Sequence, residues 1–572
     1  MQIRRTVQSL FGRPHVTPAG QQEVPQLSGG LPLIGHTLDF LRSPIALLER
    51  ATAELGELAA VTVFNKRMVA MFGPEAYEAV FRAPDAQLSS APVYKFMSPI
   101  FGRGILYDAP AELRSEQIQM MLPALKERRM RTYVETIIGE VEQSLASWGS
   151  EGVLDISDYF RLLTNYTSSH CLMGREFREG MTAEFAEIYH LLSHSITPIS
   201  YLNNNLPLPA FRRRDRARAR LAEMIGEIVR ERRRRGVHGE DFLQTLMDAR
   251  YESGKELSDD AITGLLLAAI FAGHDTSSVT ASWTLLELIQ APAQMAKFTE
   301  EIDRVIGDGR QIAYQSLREL TFTECSIKEA LRLHPPLVLF LRVALEDFVF
   351  KNHCIGKGSW ILISPVVAGR DGRYFRDPER FDPERFAPPR EEDRRDFTFI
   401  PFGGGRHKCL GNAFALQQVK IILAMLLARY EFESMGDPIA PNYKGMVVGP
   451  MQPIRLRYRA RPQRMVSKRQ TVVQGDSTVA RPAPGCPFHT AAETPAAAPR
   501  NPPTTQFKIV LDRDLCRGHA TCVTEVPDVF RLGQDGKVEL FPEMANPPVE
   551  RLDKVRQALK YCPTRAITLD AK

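Results

Sequence analysis

From Val479 to Thr505 the chain reads VARPAPGCPFHTAAETPAAAPRNPPTT, rich in proline, alanine and threonine and without an apolar period. A stretch of that composition cannot bury enough side chain to offset the entropy of ordering it. It predicts a flexible linker over 463–506. The 572 residues must then fold as separate units on either side. A terminal extension, 1–26, precedes a globular unit over 27–462 that is long enough to bury a large core, and a small unit of 507–572 follows the linker.

Helical periodicity dominates the larger unit, as in the run from Ala111 to Leu145, while strand-like pieces such as LAAVTVF (Leu58 to Phe64) and MVAMFG (Met68 to Gly73) are few and short. The small unit alternates: FKIVLD reads as a strand, VERLDKVRQALKYC as a helix and AITLD as a second strand. The expected architecture is multi-domain, mainly α with small β-sheets, followed by a small α+β domain.

A net charge of +5 is small for this length and names no partner. Arginines cluster between Phe211 and Arg220 and between Arg230 and Gly236. They read as the solvated face of a long helix, or else as a patch for an acidic redox partner or for peripheral contact with an anionic membrane. No nucleic-acid recognition motif accompanies them. Eight cysteines do not make a disulfide framework at this size, and Cys171, Cys325, Cys354 and Cys486 show no ligand spacing. The basic start MQIRRTVQSLFGRPHV lacks the apolar stretch of a signal peptide, and the most apolar run, Ile262 to Gly273, falls short of the roughly 18 residues a span needs. A cytoplasmic location is expected.

The strongest chemical signal is PFGGGRHKCLGNAFA, Pro401 to Ala415. Three successive glycines let the backbone turn tightly and approach something large and flat. Cys409 follows near a helix start and beside Arg406, His407 and Lys408, surroundings that favour a thiolate. A second signal is FAGHDTSS, Phe271 to Ser278, polar residues in the middle of an apolar helix that Ser258, Asp259 and Asp260 would cap. Buried polar groups need partners, which points to a site.

The pattern F-G-x-G-R-x-x-C-x-G resembles the haem-binding loop of the cytochrome P450 superfamily. Other elements agree: E-x-x-R as Glu329 to Arg332, P-x-R-F as Pro383 to Phe386, and [AG]-G-x-[DE]-T as Ala272 to Thr276. The resemblance implies haem b with Cys409 as its thiolate ligand, and Arg406, His407, Arg342, Tyr94 and Phe402 around it. It implies a structural pairing of Glu329 and Arg332 with Arg385; the spacing D-P-x-x-F-x-P-x-R-F selects that arginine over the one in the earlier copy, Pro378 to Phe381. It further implies Asp275 as proton relay and Thr276 as hydrogen-bond partner of the dioxygen being split.

Tyr94 to Arg114, YKFMSPIFGRGILYDAPAELR, resembles the segment that marks sterol 14α-demethylases. Phe96, Met97, Phe101, Phe271, Ala272, Leu337, Val338 and Met446 would then line an apolar substrate tunnel. The implied reaction removes the 14α-methyl group of a lanosterol-like sterol in three oxygenations, through alcohol and aldehyde to formate. Another bulky lipid or terpenoid is the alternative substrate. The chain departs from this family at Asp275, where the demethylases commonly carry histidine and the wider superfamily an acid.

In the small unit, CRGHATC (Cys516 to Cys522) and the later Cys562-Pro563 follow the spacing C-x₂-C-x₂-C…C-P of a bacterial ferredoxin, with His519 in place of the middle cysteine. The unit resembles single-cluster ferredoxins with C-x₂-H-x₂-C. Three thiolates, Cys516, Cys522 and Cys562, suit a [3Fe-4S] cluster; ligation by His519 would make it [4Fe-4S]. The whole is similar to the demethylase–ferredoxin fusions of methanotrophic bacteria. Such a ferredoxin implies electron supply to the haem over a tether whose flexible span is roughly 35–40 Å, at an effective concentration approaching the millimolar range. No FAD- or NAD(P)-binding glycine motif is present, so a separate NAD(P)H-dependent ferredoxin reductase is implied as a partner, with the sterol and dioxygen.

Overall fold

The structure is a computed structural model. It describes residues 20–64, 66–180, 183–193, 195–196, 206–236, 238–307, 312–443, 445–462, 507–513, 516, 522–523, 526–533, 537–562 and 566–571. The linker reading and the position of His519 lie outside the described residues. Chain contacts divide the protein after Arg461 into two compact units.

The larger unit is built around the 32-residue helix Asp259–Gln290. Ser258 caps it, its Oγ accepting the Ala261 N–H at 3.2 Å, with Asp259 and Asp260 in the first turn. Its apolar residues face all directions, as suits a helix surrounded by protein. The helices Ile156–Met173, Thr321–Leu333 and Asn412–Arg429 pack against it. Among the described residues it alone is long and apolar enough to cross a membrane, yet most of its apolar stretch is buried inside the fold. Gly264 permits one close crossing, since a Cβ there would stand 2.1 Å from the carbonyl oxygen of Phe101.

A five-stranded sheet in the order Leu58–Val63, Lys66–Met71, Trp360–Ile363, Phe340–Ala344, Leu88–Ser89 lies at one edge. It carries Arg342 on its fourth strand. The expected helical run from Ala111 to Leu145 is broken into Ala111–Met121, a 3₁₀ turn Leu122–Leu125 and Glu127–Leu145. Pro123 explains the break, having no N–H to give and disfavouring the helical conformation of the residue before it. The arginine-rich stretches form one helix, Pro209–Arg235, and most of their charge is paired: Arg218 with Asp260, Arg220 with Glu184 and Glu223, Arg232 with Glu176 and Asp241, Arg233 with Asp259.

Glu329, Arg332 and Arg385 are all fully buried. Arg332 holds the Glu329 carboxylate from two nitrogens, at 2.7 and 2.8 Å, and Arg385 Nε adds a third bond at 2.9 Å. Arg380, from the earlier copy of the motif, is exposed and contributes only its carbonyl, which accepts from both guanidiniums.

In the small unit Phe507–Leu511 pairs antiparallel with Ile567–Ala571, and Phe530–Leu532 with Val538–Leu540. Helix Leu552–Tyr561 contributes Val555 and Ala558 to the core these strands cover.

Glu329→Gln leaves two buried guanidiniums without their carboxylate, which costs about 3–5 kcal/mol. Denaturant unfolding of the haem-loaded protein checks this; a loss below about 1 kcal/mol would show that the triad is not what holds the region.

Candidate functional site

Cys409 stands two residues before Gly411, the N-cap residue of helix Asn412–Arg429. Its N–H donates to the carbonyl of Phe402 at 2.8 Å and closes the loop. Gly403 and Gly405 take φ of 68° and 57°, the left-handed region open to glycine. A Cβ on Gly404 would meet the Phe81 ring at 2.8 Å, and one on Gly405 the Phe81 carbonyl at 2.1 Å. Two of the three glycines therefore face Phe81, at the end of helix Pro74–Arg82, where a side chain would clash.

The Cys409 side chain is reachable by solvent, yet burial is the largest influence on its thiol and raises its pKa. Both hold when the sulfur faces a space inside the fold. The Gly411 N–H and Lys408 pull the other way, as the sequence suggests, but burial outweighs them. Tyr107 borders the same space: burial raises its pKa to about 12, with the charges of Tyr94 and Cys409 adding to the rise.

Around this space the basic groups are unequally engaged. His407 Nε2–H donates to Asp85 Oδ1 at 2.6 Å, and Arg114 binds the same carboxylate and Ser90 Oγ. Burial pushes His407 down to about 4, so it is neutral at pH 7. Arg342 is buried and donates to the carbonyl of Leu341 at 2.9 Å; burial lowers its pKa, with only Tyr94 and the distant charge of Asp85 opposing. Tyr94 lies beside it. A buried guanidinium with no carboxylate partner among the described residues and a thiol facing the same interior fit haem, whose propionates would complete Arg342. Phe402 packs at the edge of the main core, and the side chain of Arg406 lies outside the described residues.

On the central helix Ala272 is exposed although Ile270 and His274 to either side are buried. Thr276 Oγ donates to its own helix, to the Ala272 carbonyl at 2.6 Å. His274 Nε2–H donates to the Arg161 carbonyl at 2.7 Å, and burial keeps the imidazole neutral, so Nδ1 carries a lone pair 3.3 Å from Asp275 Oδ1. Asp275 itself is part-exposed.

Phe96, Met97 and Phe101 are buried in one apolar cluster, with Tyr94, Phe271 and Met446 packed against it. Phe101 and Phe271 meet edge to face at 5.5 Å, and Tyr107 stands 5.7 Å from Tyr94 and 5.6 Å from Phe101. Leu337 and Val338 lie outside this cluster, on the segment leading into strand Phe340–Ala344. That segment is tied to the loop of Met446 by the Val448 N–H donating to the Pro336 carbonyl at 2.8 Å. Asp85 and Tyr189, whose ring is 4.7 Å from that of His274, lie outside every motif of the sequence, while His274 and Tyr107 lie inside motifs that assign them no role.

Cys516, Cys522 and Cys562 are all buried in the small unit's core. Burial and the charges of Cys562 and Cys516 raise the Cys522 thiol to about 12, while among the described residues no three such side chains are close enough to share a single metal ion. The Val538 N–H donates to Cys516 Sγ at 3.3 Å. Three thiols in one small core, one sulfur already hydrogen-bonded, fit a multi-iron cluster, whose ligands stand further apart than those of a single ion and would be held as thiolates.

Residues 25–458 match the Cytochrome P450 family and residues 509–569 the 4Fe-4S single cluster domain family. A sterol 14alpha-demethylase of Mycobacterium tuberculosis is 40% identical over 445 residues, 77% of this chain and 98% of its own length. A lanosterol 14-alpha demethylase of Homo sapiens is 32% identical over 449 residues, 78% of this chain and 88% of its own. Among solved structures the cytochrome P450DA heme domain superposes with a TM-score of 0.70 at 22% identity, covering 77% of this chain and 99% of that one, which supports the fold. Fold and site define a cytochrome P450 monooxygenase joined to an iron–sulfur domain. Within that family the chain belongs to the sterol 14α-demethylases.

Arg342→Leu should sharply lower the haem retained per protein after gel filtration, while Arg216→Leu, on the exposed face of helix Pro209–Arg235, leaves it unchanged. Equal haem content in the two variants would remove Arg342 from the cofactor site.

Proposed function

We propose that the larger unit removes the 14α-methyl group of a sterol, drawing electrons one at a time from its own small unit. The observation that carries the reading is the aromatic wall of Tyr94, Phe96, Phe101, Tyr107 and Phe271, which shares an interior space with Cys409 and closes on the central helix near Asp275. A rigid apolar wall suits a fused-ring hydrocarbon, whose binding is driven by burial and shape. The demethylases among the relatives act on substrates of this kind by name.

Haem bound through Cys409 supplies dioxygen activation and insertion of oxygen into C–H bonds. The protein's own residues do the rest. Arg342 and Tyr94 fix the cofactor edge. The apolar wall orients the sterol and excludes water. Asp275 passes protons inward, and Thr276 turns its hydroxyl from the Ala272 carbonyl to the reacting oxygen. Each oxygenation takes one dioxygen, two electrons and two protons; three take methyl to alcohol, to aldehyde, and then to formate plus a ring double bond. A [3Fe-4S] cluster held by Cys516, Cys522 and Cys562 is the donor form these three thiols suit, recharged by a separate reductase.

Lanosterol added to the oxidised protein should give a saturable blue shift of the haem band; no shift, with the spectrum otherwise intact, would remove sterols as substrate. Asp275→Asn should keep that shift while slowing turnover about 10²-fold. Cys562→Ala should retain the carbon-monoxide band of a thiolate-ligated haem and lose reductase-driven turnover. Retained turnover would mean that the electrons bypass the small unit.

A further inference from the structure

Two neighbouring side chains beside Asp275 each bury a polar atom that has no hydrogen-bond partner among the described residues: Nδ1 of His274, on the central helix, and the hydroxyl of Tyr189, on helix Ala183–Ser193. Their rings meet edge to face at 4.7 Å, and they are exposed by only 2% and 4%. Tyr189 also packs on Phe271 at 4.8 Å, so the pair adjoins the aromatic wall. An unpaired buried polar atom is costly, and two side by side at a site of chemistry ask what they receive.

The other nitrogen fixes which hydrogen His274 carries. Nε2 lies 2.7 Å from the Arg161 carbonyl, which only accepts, so the ring hydrogen is on Nε2. Burial is the largest influence on the ring and keeps it neutral; Asp275 and the Arg161 carbonyl favour a second proton, and the Arg161 guanidinium opposes it. That guanidinium is itself paired with Asp158 at 2.9 Å. Thr164 Oγ1 donates to the His274 carbonyl at 3.3 Å, a second tie to helix Ile156–Met173. Nδ1 is therefore a bare lone pair on a firmly held ring.

Asp275 Oδ1 stands 3.3 Å from that lone pair. Two acceptors so close repel each other unless a hydrogen lies between them. The imidazole has none to give at Nδ1, so the hydrogen must come from the carboxyl. The contact is attractive when Asp275 is an acid and repulsive when it is a carboxylate. Tyr189 is the complement: burial raises its pKa well above the usual value, and the charge of Asp275 adds to the rise, so the phenol keeps its hydrogen and remains a donor.

We propose that His274 is a positioning residue for proton delivery, its Nδ1 accepting the hydrogen of protonated Asp275 and so holding the loaded acid next to Thr276, then releasing the side chain once the proton has left. This rests on the reading of Asp275 as proton carrier and adds the group that decides when the carrier is held. Each oxygenation uses two electrons and two protons to place one oxygen atom of dioxygen in the sterol and the other in water. When the acid is not held in time, the same two electrons and two protons leave as hydrogen peroxide.

The test compares full-length, haem-loaded wild type with His274→Gln, whose amide keeps a donor for the Arg161 carbonyl but places no acceptor at the Nδ1 position. In mildly acidic buffer, infrared difference spectra against Asp275→Asn isolate the C=O stretch of the Asp275 acid. That band should move to higher frequency in His274→Gln, as for a carboxylic O–H that has lost its acceptor. Supplied with reductase, NAD(P)H and sterol, the variant should direct about fivefold less of its electrons into product, the effect of losing one ordinary hydrogen bond, with hydrogen peroxide making up the difference and the haem content unchanged. His274→Phe, which keeps the bulk of the ring and loses both nitrogens, should show the same two changes. Changes confined to His274→Phe would trace to the lost Arg161 bond and overturn the proposal, as would an unmoved infrared band in both variants. Wild-type coupling in His274→Gln while Asp275→Asn is uncoupled would overturn it and leave Asp275 as the carrier. Wild-type coupling in Asp275→Asn would remove the carrier, and the proposal with it.

Discussion

A single carboxylate buried in the larger unit fixes how the rest of its site is assembled. Glu329 has no contact with water and divides its oxygens between two guanidiniums and the Asp382 N–H. Each arginine spends its remaining donors on irregular chain: Arg332 on the carbonyls of Gly369, Pro378 and Arg380, Arg385 on those of Arg376 and Arg380 and on Glu392. Buried ion pairs of this kind contribute little net stability, but they penalise every other arrangement. Here they staple helix Thr321–Leu333 to a loop-rich segment that has few regular hydrogen bonds of its own. That segment leads directly into the loop carrying Cys409.

The same division of labour recurs closer to the chemistry. Asp85 takes up His407 and Arg114, leaving Arg342 a buried cation with no acid of its own among the described residues. The charge of Arg114 is thus met by Asp85, while that of Arg342 is left open to a carboxylate-bearing cofactor, as the proposed function requires. On the central helix, His274 is held neutral by burial and tied to the Arg161 carbonyl. The small unit works differently: its three thiols belong to one apolar core, and a main-chain N–H already serves one sulfur.

Motifs with strict spacing were legible in the sequence because their chemistry allows few substitutes: the cysteine loop, Glu329 with its arginines, the polar turn at Asp275 and the three cluster cysteines. Segment-level structure was legible where capping or periodicity was strong, as at Ser258. Illegible were interactions between residues remote in sequence. Asp85 lies 322 residues from His407, and nothing in its neighbourhood announces that it will accept a hydrogen bond from that imidazole. The glycines of the loop were readable as a close approach, but not that Phe81 is what approaches. Thr276 bonding back to Ala272 likewise depends on a rotamer that no pattern encodes.

Joining a monooxygenase to an iron–sulfur unit in one chain matches the demands of a reaction that needs six electrons in single steps. Product analysis is the most direct test of that account. The full-length protein, supplied with a ferredoxin reductase, NAD(P)H and a 14α-methyl sterol, should convert the sterol to one lacking that carbon and carrying a new ring double bond, with one formate released per sterol. A product that is only hydroxylated, with all its carbons retained, would contradict the assignment to 14α-demethylation.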